Sequence, residues 1–259
     1  MKWKKESGGI YQLDSLKEIR ESYCSIFLGI DEYALVFPQK YADFGEELQP
    51  CFPYKSKYQE QQVQGFFPRL KDTFVTDKKE SVFLFEKEPD QIFLNDLFLY
   101  EQEMQEIPDL YKVWAMTQLM QLARHFHSMQ VCSLCFCKDS FLWNVGEDMK
   151  LSILNGQEFS HFYGTPYRSL PKKLFDQFPR SVLGTTIQAD PEIDRHFLLE
   201  LGKQFFHICE DSDLQKFFID AIQSEDSIYE LYGKWDLLVK TKFGSLNCHG
   251  FEISYNEIY

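Results

Sequence analysis

The hydrophobic period of this chain changes once, near residue 90, and that single change limits what the chain can fold into. Ahead of it the apolar runs are short and β-rich. Ser25-Ile26-Phe27-Leu28 and Tyr33-Ala34-Leu35-Val36-Phe37 flank Gly29-Ile30-Asp31-Glu32, a hairpin pattern that Pro38 closes. Ser81-Val82-Phe83-Leu84-Phe85 follows the polar turn Thr76-Asp77-Lys78-Lys79-Glu80. Behind Pro108 and Asp109 the spacing turns helical, with Val113, Met116, Met120, Ala123 and His127 on one face. Leu198, Leu201, Phe205 and Ile208 predict a second buried helix. Leu214, Phe217, Phe218, Ala221 and Ile222 predict a third, with Glu210-Asp211-Ser212-Asp213 placed to cap it. Strands first and helices afterwards predict an α+β chain with two unequal lobes.

Charge and cysteines narrow the setting. The formal net charge is −13, which disfavours nucleic acid and anionic membrane surfaces as partners because both repel an acidic chain. No apolar stretch approaches the ~20 residues that cross a bilayer, and no apolar segment follows the charged start Met1 to Glu6. The seven cysteines, Cys24, Cys51, Cys132, Cys135, Cys137, Cys209 and Cys248, are odd in number and irregularly spaced. With 259 residues the chain buries a core without covalent staples, so free thiols in a reducing, cytoplasmic compartment are expected.

Five segments, in order, resemble parts of a eukaryotic-type protein kinase domain and together cover most of the chain. Phe67 to Phe74, then Ser81 to Lys87, resembles strands four and five running into a hinge at Glu86-Lys87-Glu88-Pro89. His127-Ser128-Met129-Gln130-Val131 resembles the helix end before the catalytic loop, and Met149 to Ile153 the strand that delivers the metal-binding Asp. Gly164-Thr165-Pro166-Tyr167-Arg168-Ser169-Leu170-Pro171 looks like the end of an activation segment, and Ser224 to Leu238 like the closing helices. The resemblance implies a bilobal fold, with a mainly-β small lobe over residues 1–88 and a larger α-helical lobe over 89–259.

The same resemblance assigns chemistry to positions that do not carry it. A kinase aligns phosphates and neutralises charge with a Gly-rich loop, a strand-three Lys, two metal ligands and a catalytic Asp. The strand-three motif falls on Tyr33 to Val36, which puts Val36 at the Lys position, with Lys40 four residues beyond as a displaced substitute. The Gly-rich loop falls on Leu16 to Ser22, where there is no glycine and where Glu18 and Glu21 repel phosphate; Gly8-Gly9 read as a flexible lead-in. Cys135 takes the place of the catalytic base and Ser140 that of the metal-binding Asn, with Asp139 one residue away. Asp-Phe-Gly falls on Ile153-Leu154-Asn155, or on Leu154-Asn155-Gly156 if shifted by one. Of Ala-Pro-Glu only Pro171 survives, and Glu60 is the nearest candidate for the helix-C Glu. The resemblance therefore implies a pseudokinase: no enzyme, no nucleotide or metal cofactor, and a protein partner for which it serves as scaffold or allosteric regulator. Two alternatives stand beside it, an atypical nucleotide-binding domain using Lys40 and Asp139, and a structural subunit of a fixed complex.

Other groupings have plainer readings. His125, His127, Cys132, Cys135 and Cys137 are dense in soft ligands, but zinc needs four converging tetrahedrally and two His two apart on a helix face different sides. The tail around Tyr255 and Tyr259 resembles a phosphotyrosine ligand, a pattern that also arises in ordinary C-termini.

Overall fold

A computed structural model of the chain describes residues 1–43, 48, 52–103, 107–146, 149–156, 160–167, 170, 176–184, 186–209, 211–246 and 258. The chain opens on a hairpin, β1 (Lys2–Lys4) with β2 (Ile10–Gln12). Gly8 and Gly9 are not a loose lead-in: they turn this hairpin with φ of +94° and +87°, a conformation costly for any other residue.

Five antiparallel strands follow, β3 (Lys17–Arg20), β4 (Ser25–Leu28), β5 (Glu32–Phe37), β6 (Leu70–Val75) and β7 (Ser81–Glu86), ordered β3-β4-β5-β7-β6. Helix α1 (Lys57–Gln64) lies between β5 and β6 in the chain, capped by the Ser56 side chain. Strand alternation sorts the side chains onto two faces. Phe27, Ala34, Val36, Val82 and Leu84 pack outward under Trp3, whose ring meets Phe27 edge-on at 5.4 Å. Ile26, Leu28, Tyr33, Leu35, Phe37 and Phe85 face the other way and join the core of the helical region.

After the hinge the predicted change of period is realised. Strand β8 (Gln91–Phe93) leads into α2 (Leu94–Glu103) and α3 (Asp109–Ser128). Short strands β9 (Val131–Cys132), β10 (Phe141–Asn144), β11 (Lys150–Ile153) and β12 (His161–Phe162) come next, with β10 between β11 and β8, and β12 paired to β9. Three helices close the fold: α4 (Pro191–Phe205), α5 (Ser212–Gln223) and α6 (Ile228–Phe243). Their starts are written in the sequence as Asp190 before Pro191, Asp211, and a Ser227–Glu230 capping box. Helix α4 ends at Phe205, one turn short of the Ile208 expected to extend it; the Ile208 carbonyl accepts from Lys112 of α3 instead. Lys112 is also paired with Glu101 of α2 at 2.8 Å, so two helices and the end of a third meet on one buried ammonium. No helix among the described residues is long and apolar enough to cross a membrane.

Helices α4 and α5 approach too closely for a side chain at Gly202. A Cβ there would lie 2.1 Å from the Phe218 ring, which is fully buried and stacked on Phe206 at 5.4 Å. In a free helix Gly→Ala is favourable by about 1 kcal/mol, whereas overpacking a filled core costs about 1–3 kcal/mol or more. The clash should win: Gly202→Ala is expected to lower unfolding stability by about 2 kcal/mol in urea titration. A stabilised variant would mean that the two helices do not pack this way.

Candidate functional site

The site that the resemblance points to is the cleft between the sheet and the helical region, entered from the hinge. A flat ligand is held at such an edge by backbone donors and acceptors, and here the chain uses the donors itself. Glu86 N–H donates to the Arg69 carbonyl at 2.9 Å, Lys87 N–H to Asp31 at 2.9 Å, and Glu88 N–H to the Gln91 side chain at 3.2 Å. The Lys87 ammonium turns inward and donates to the carbonyls of Ile30, Glu88 and Pro89. Burial pushes Lys87 down to about 8, although Asp31, Asp90 and Glu88 favour its charge.

Behind the hinge the cleft is filled with side chains. Tyr33 and Phe85, opposite each other in the β5–β7 ladder, stack at 5.1 Å and are both fully buried. Leu28, Leu35 and Phe37 of the sheet and Phe93, Leu142 and Leu154 of the helical region all belong to one apolar cluster. Val36 is not at the Lys position: it points to the outer face, under Trp3. The cleft side of β5 carries Tyr33, Leu35 and Phe37, a one-residue slip that exchanges the faces of a strand. The position assigned to an amine is apolar in either frame.

The turn above the cleft also differs from expectation. Lys17–Arg20, read as part of the Gly-rich loop, is strand β3, and the connection to β4 is only Glu21-Ser22-Tyr23-Cys24, closed by Glu21 N–H to the Cys24 carbonyl at 2.9 Å. Tyr23 tucks beneath it, 6% exposed and tilted against Phe37 at 6.4 Å. At the front edge Lys17 of β3 is ion-paired with the buried Asp96 of α2, joining the two lobes across the opening.

The residues proposed to act together are not brought together. Lys40 sits in an exposed helical turn (Gln39–Tyr41) with its ammonium over the Tyr41 ring at 4.5 Å. Asp139 lines a cavity at the hairpin end of the site, together with Glu21, Tyr23, Ser140 and Gly156, which Lys40 does not line. Glu60 pairs with Gln64 along the exposed side of α1, whereas Gln59 and Val63 face inward. Gln59 reaches Ser128 of α3 at 2.6 Å.

The loop that should hold a catalytic base keeps its backbone shape. Leu134 has φ of +56°, costly for a branched side chain. The carboxylate of Asp194 from α4 holds it there, accepting from the backbone N–H of Ser133 at 2.8 Å and of Leu134 at 2.9 Å. Burial pushes Asp194 up to about 6, against the pull of those hydrogen bonds. Cys135, the next residue, is fully buried, and burial together with Asp194 raises its thiol well above the ordinary range. Both effects disfavour its thiolate, the form a nucleophile requires. Gly156 has φ of +101°, and a Cβ there would press on Cys135 at 3.3 Å; this favours the frame Leu154-Asn155-Gly156, with Leu154 at the position of the metal-binding Asp. Ser140, the second such position, is 3% exposed and in contact with the Cys137 thiol at 3.0 Å.

The soft-ligand group does not converge. His127 contacts the Tyr163 hydroxyl at 2.8 Å, Cys135 contacts Ser133 at 3.2 Å, and among the described residues no three His, Cys, Asp or Glu are placed to hold a metal. Cys24, Cys132, Cys135, Cys137 and Cys209 are free thiols. Cys51, Cys248, Pro171, Tyr255 and Tyr259 lie outside the described residues. Gly164 to Tyr167 pairs back onto the strand-like segment Ile187 to Ala189 ahead of α4.

No protein-family model matches the sequence, and no curated protein sequence matches it. Among solved structures, the kinase domain of BubR1 is similar with a TM-score of 0.62 at 12% identity, over 89% of this chain and 81% of that one. Vaccinia related kinase 3 is similar with a TM-score of 0.62 at 9% identity, over 95% and 92%. The chain has a protein-kinase-like bilobal fold. At these identities the likeness is one of fold, with an N-terminal antiparallel sheet and a mainly helical remainder.

Lys87 was read only as part of the hinge, and its inward turn, like Tyr23 and Asp194, was not singled out in the sequence. Lys87 and Tyr23 carry no signal of this, since inward-turned lysines and tyrosines look like surface ones. Asp194 had one, an acid on the apolar stripe of α4 between Ile193 and Phe197.

Asp194 yields a measurable expectation. Replacing it with Ala leaves two buried N–H groups without acceptors, at about 1–3 kcal/mol each, so a loss of about 3 kcal/mol is expected. Its raised pKa sets a pH dependence. Its contribution is fully present below the unfolded value of 3.8 and is lost as pH rises through about 6. From pH 7 to 5 the wild type should therefore gain about 1 kcal/mol relative to Asp194→Asn. Parallel pH profiles in denaturant titration would contradict the assignment.

Proposed function

We propose that this domain is a pseudokinase: a protein-binding scaffold or allosteric regulator acting inside the cell, without phosphoryl transfer and without MgATP. The observation that carries the reading is the filled cleft. Leu28, Tyr33, Leu35, Phe37 and Phe85 occupy the space under the sheet, and the hinge N–H groups are already bonded within the chain. A nucleotide entering there would have to displace several buried rings and break those bonds. The chemistry at the assigned positions supports the same reading. Magnesium needs oxygen ligands, and phosphates need donors or cations. Leu154, Ser140 and Cys135 are buried, and Leu35 or Phe37 stands where an ammonium would be required.

With catalysis set aside, the remaining use of such a fold is recognition by its surface. The reading as a structural subunit of a fixed complex is a special case of this and would appear as co-purification in constant ratio. Thermal scanning tests the central claim. A ligand at ~100 times its dissociation constant adds about 2.7 kcal/mol, a melting shift of roughly 5–10 °C for a chain of this size. Millimolar ATP with magnesium is expected to leave the melting temperature unchanged and to yield no phosphate on the protein or on generic substrates. An ATP-dependent shift abolished by Lys40→Ala would replace this reading with that of an atypical nucleotide-binding domain.

A further inference from the structure

Helix α6 packs along α3 in the opposite direction. Trp235 donates its indole N–H to Thr117 at 2.9 Å, Gln121 its amide to the Tyr232 hydroxyl at 3.4 Å, and Arg124 lies over Tyr232 and Tyr229. The last of these contacts leaves something over. The guanidinium carbon is 4.2 Å from the centre of the Tyr232 ring and 5.8 Å from that of Tyr229, so two rings one helical turn apart hold this cation in place. Rings attract its charge but accept none of its in-plane hydrogen bonds in the way an oxygen does. Among the described residues no hydrogen bond or ion pair to Arg124 is found: its Nε–H is buried without an acceptor, and its two Nη groups reach solvent.

A shortage of acids does not explain this, because the chain has 40 Asp and Glu against 27 Lys and Arg. The acids nearest the two tyrosines in sequence are engaged elsewhere, Asp226 with Lys234 at 2.6 Å and Glu230 in the cap of α6 with Ser227 at 2.8 Å. His127 closes the other side, edge-on to Tyr229 at 5.1 Å and in contact with the Tyr163 hydroxyl at 2.8 Å. Burial lowers the pKa of His127 and of His125, with Arg124 adding to the effect on His125, so at neutral pH neither imidazole brings a charge. The site therefore offers one positive charge, a fork of outward donors, and beside it the Tyr229 ring, 44% exposed.

We propose that Arg124, clamped by Tyr229 and Tyr232, is the docking point for an aspartate or glutamate side chain of a partner polypeptide. The tether between the helices uses the faces of the guanidinium; docking would use its edge. A carboxylate has one charge and two oxygens in a plane, which matches a single cation with two Nη donors. A phosphate dianion would keep one charge uncompensated next to a chain of net charge −13. A lone ion pair in a partly solvated place holds weakly, so neighbouring contacts must add to it. The open face of Tyr229 provides one for an apolar residue next to the acid, and Tyr with Arg is the pairing that carries most binding energy at protein interfaces. This inference deepens the protein-binding reading and rests on it.

Nuclear magnetic resonance of the nitrogen-15-labelled full chain tests it, since the buried Nε–H of Arg124 is shielded from exchange and reports directly on the site. Three probes are titrated: acetyl-Ala-Leu-Glu-Leu-Ala-amide, the same peptide with Gln for Glu, and phenyl phosphate. The Glu peptide is expected to move the Arg124 Nε–H signal and to bind at least ~10-fold more tightly than the Gln peptide, the scale of a charge-assisted hydrogen bond. Arg124→Gln is expected to lose that ~10-fold preference, whereas Arg180→Gln, in the exposed turn Arg180–Val182, changes nothing. Equal affinity for the two peptides overturns the proposal, as does an unchanged Arg124→Gln. Tightest binding by phenyl phosphate overturns the choice of a carboxylate, and a wild-type dimer that Arg124→Gln dissolves overturns the choice of a separate partner. No shift with any probe at ~10 mM, where even a weak contact is populated, overturns the site. Should Arg124→Gln melt early, the comparison of the two peptides on the wild type decides alone. MgATP titrated in parallel separates the two levels: binding of MgATP refutes the non-catalytic reading, whereas silence toward both MgATP and the Glu peptide refutes only this inference.

Discussion

A single buried carboxylate organises the helical lobe. Asp194 rises from the first turn of α4 into the loop between β9 and β10 and accepts from the backbone N–H groups of Ser133 and Leu134. It holds Leu134 in its left-handed conformation, which turns Cys135 inward and sets Ser140 beside Gly156. The energetic logic is that of a buried polar group with a full set of partners: costly to ionise, and costlier to remove. The loop thus keeps this backbone frame with Cys135 and Ser140 buried on it.

The same division runs through the small lobe. Sheet order, hairpin turns and the placement of α1 are those of a kinase-like fold, but the inner face of β4, β5 and β7 is apolar. Where a ligand would separate the lobes, Tyr33, Phe85 and Tyr23 are in contact with the chain itself. The added β1–β2 hairpin covers the outer face, so the sheet is buried on both sides, which accounts for the near-continuous apolar run of β5 from Tyr33 to Phe37.

That burial on both sides also explains what the sequence concealed. Alternation reveals which residues of a strand face inward only when one face is wet. In β5 both faces are dry, so the frame of Val36 against Leu35 and Phe37 was undetermined, and the position read as the Lys fell on the wrong side. Helices α3, α4 and α5 were legible because their stripes are one-sided and, for α5, the cap at Asp211 is local; α6 was read from the family resemblance, and α1 and α2 were not located. Strands β4, β5 and β7 were legible from short apolar runs and turn residues, whereas β6 and the hinge were read from the family resemblance. Long-range contacts were not: Lys17 with Asp96, and Lys87 with three carbonyls, join parts of the chain whose neighbourhood only the fold creates. Gly8 and Gly9 were misread for a related reason, since a glycine pair marks a turn only when the strands on either side are recognised.

The filled cleft has a further consequence, for how this protein comes apart. In a bilobal fold with an empty cleft, the two lobes have separate cores and can move or melt separately. Here Ile26, Leu35 and Phe85 of the sheet belong to the same continuous core as Met116, Leu142 and Leu198 of the helical lobe. Loosening the sheet would expose apolar surface on the helical side as well. The two lobes are therefore expected to unfold as one cooperative unit and not lobe by lobe.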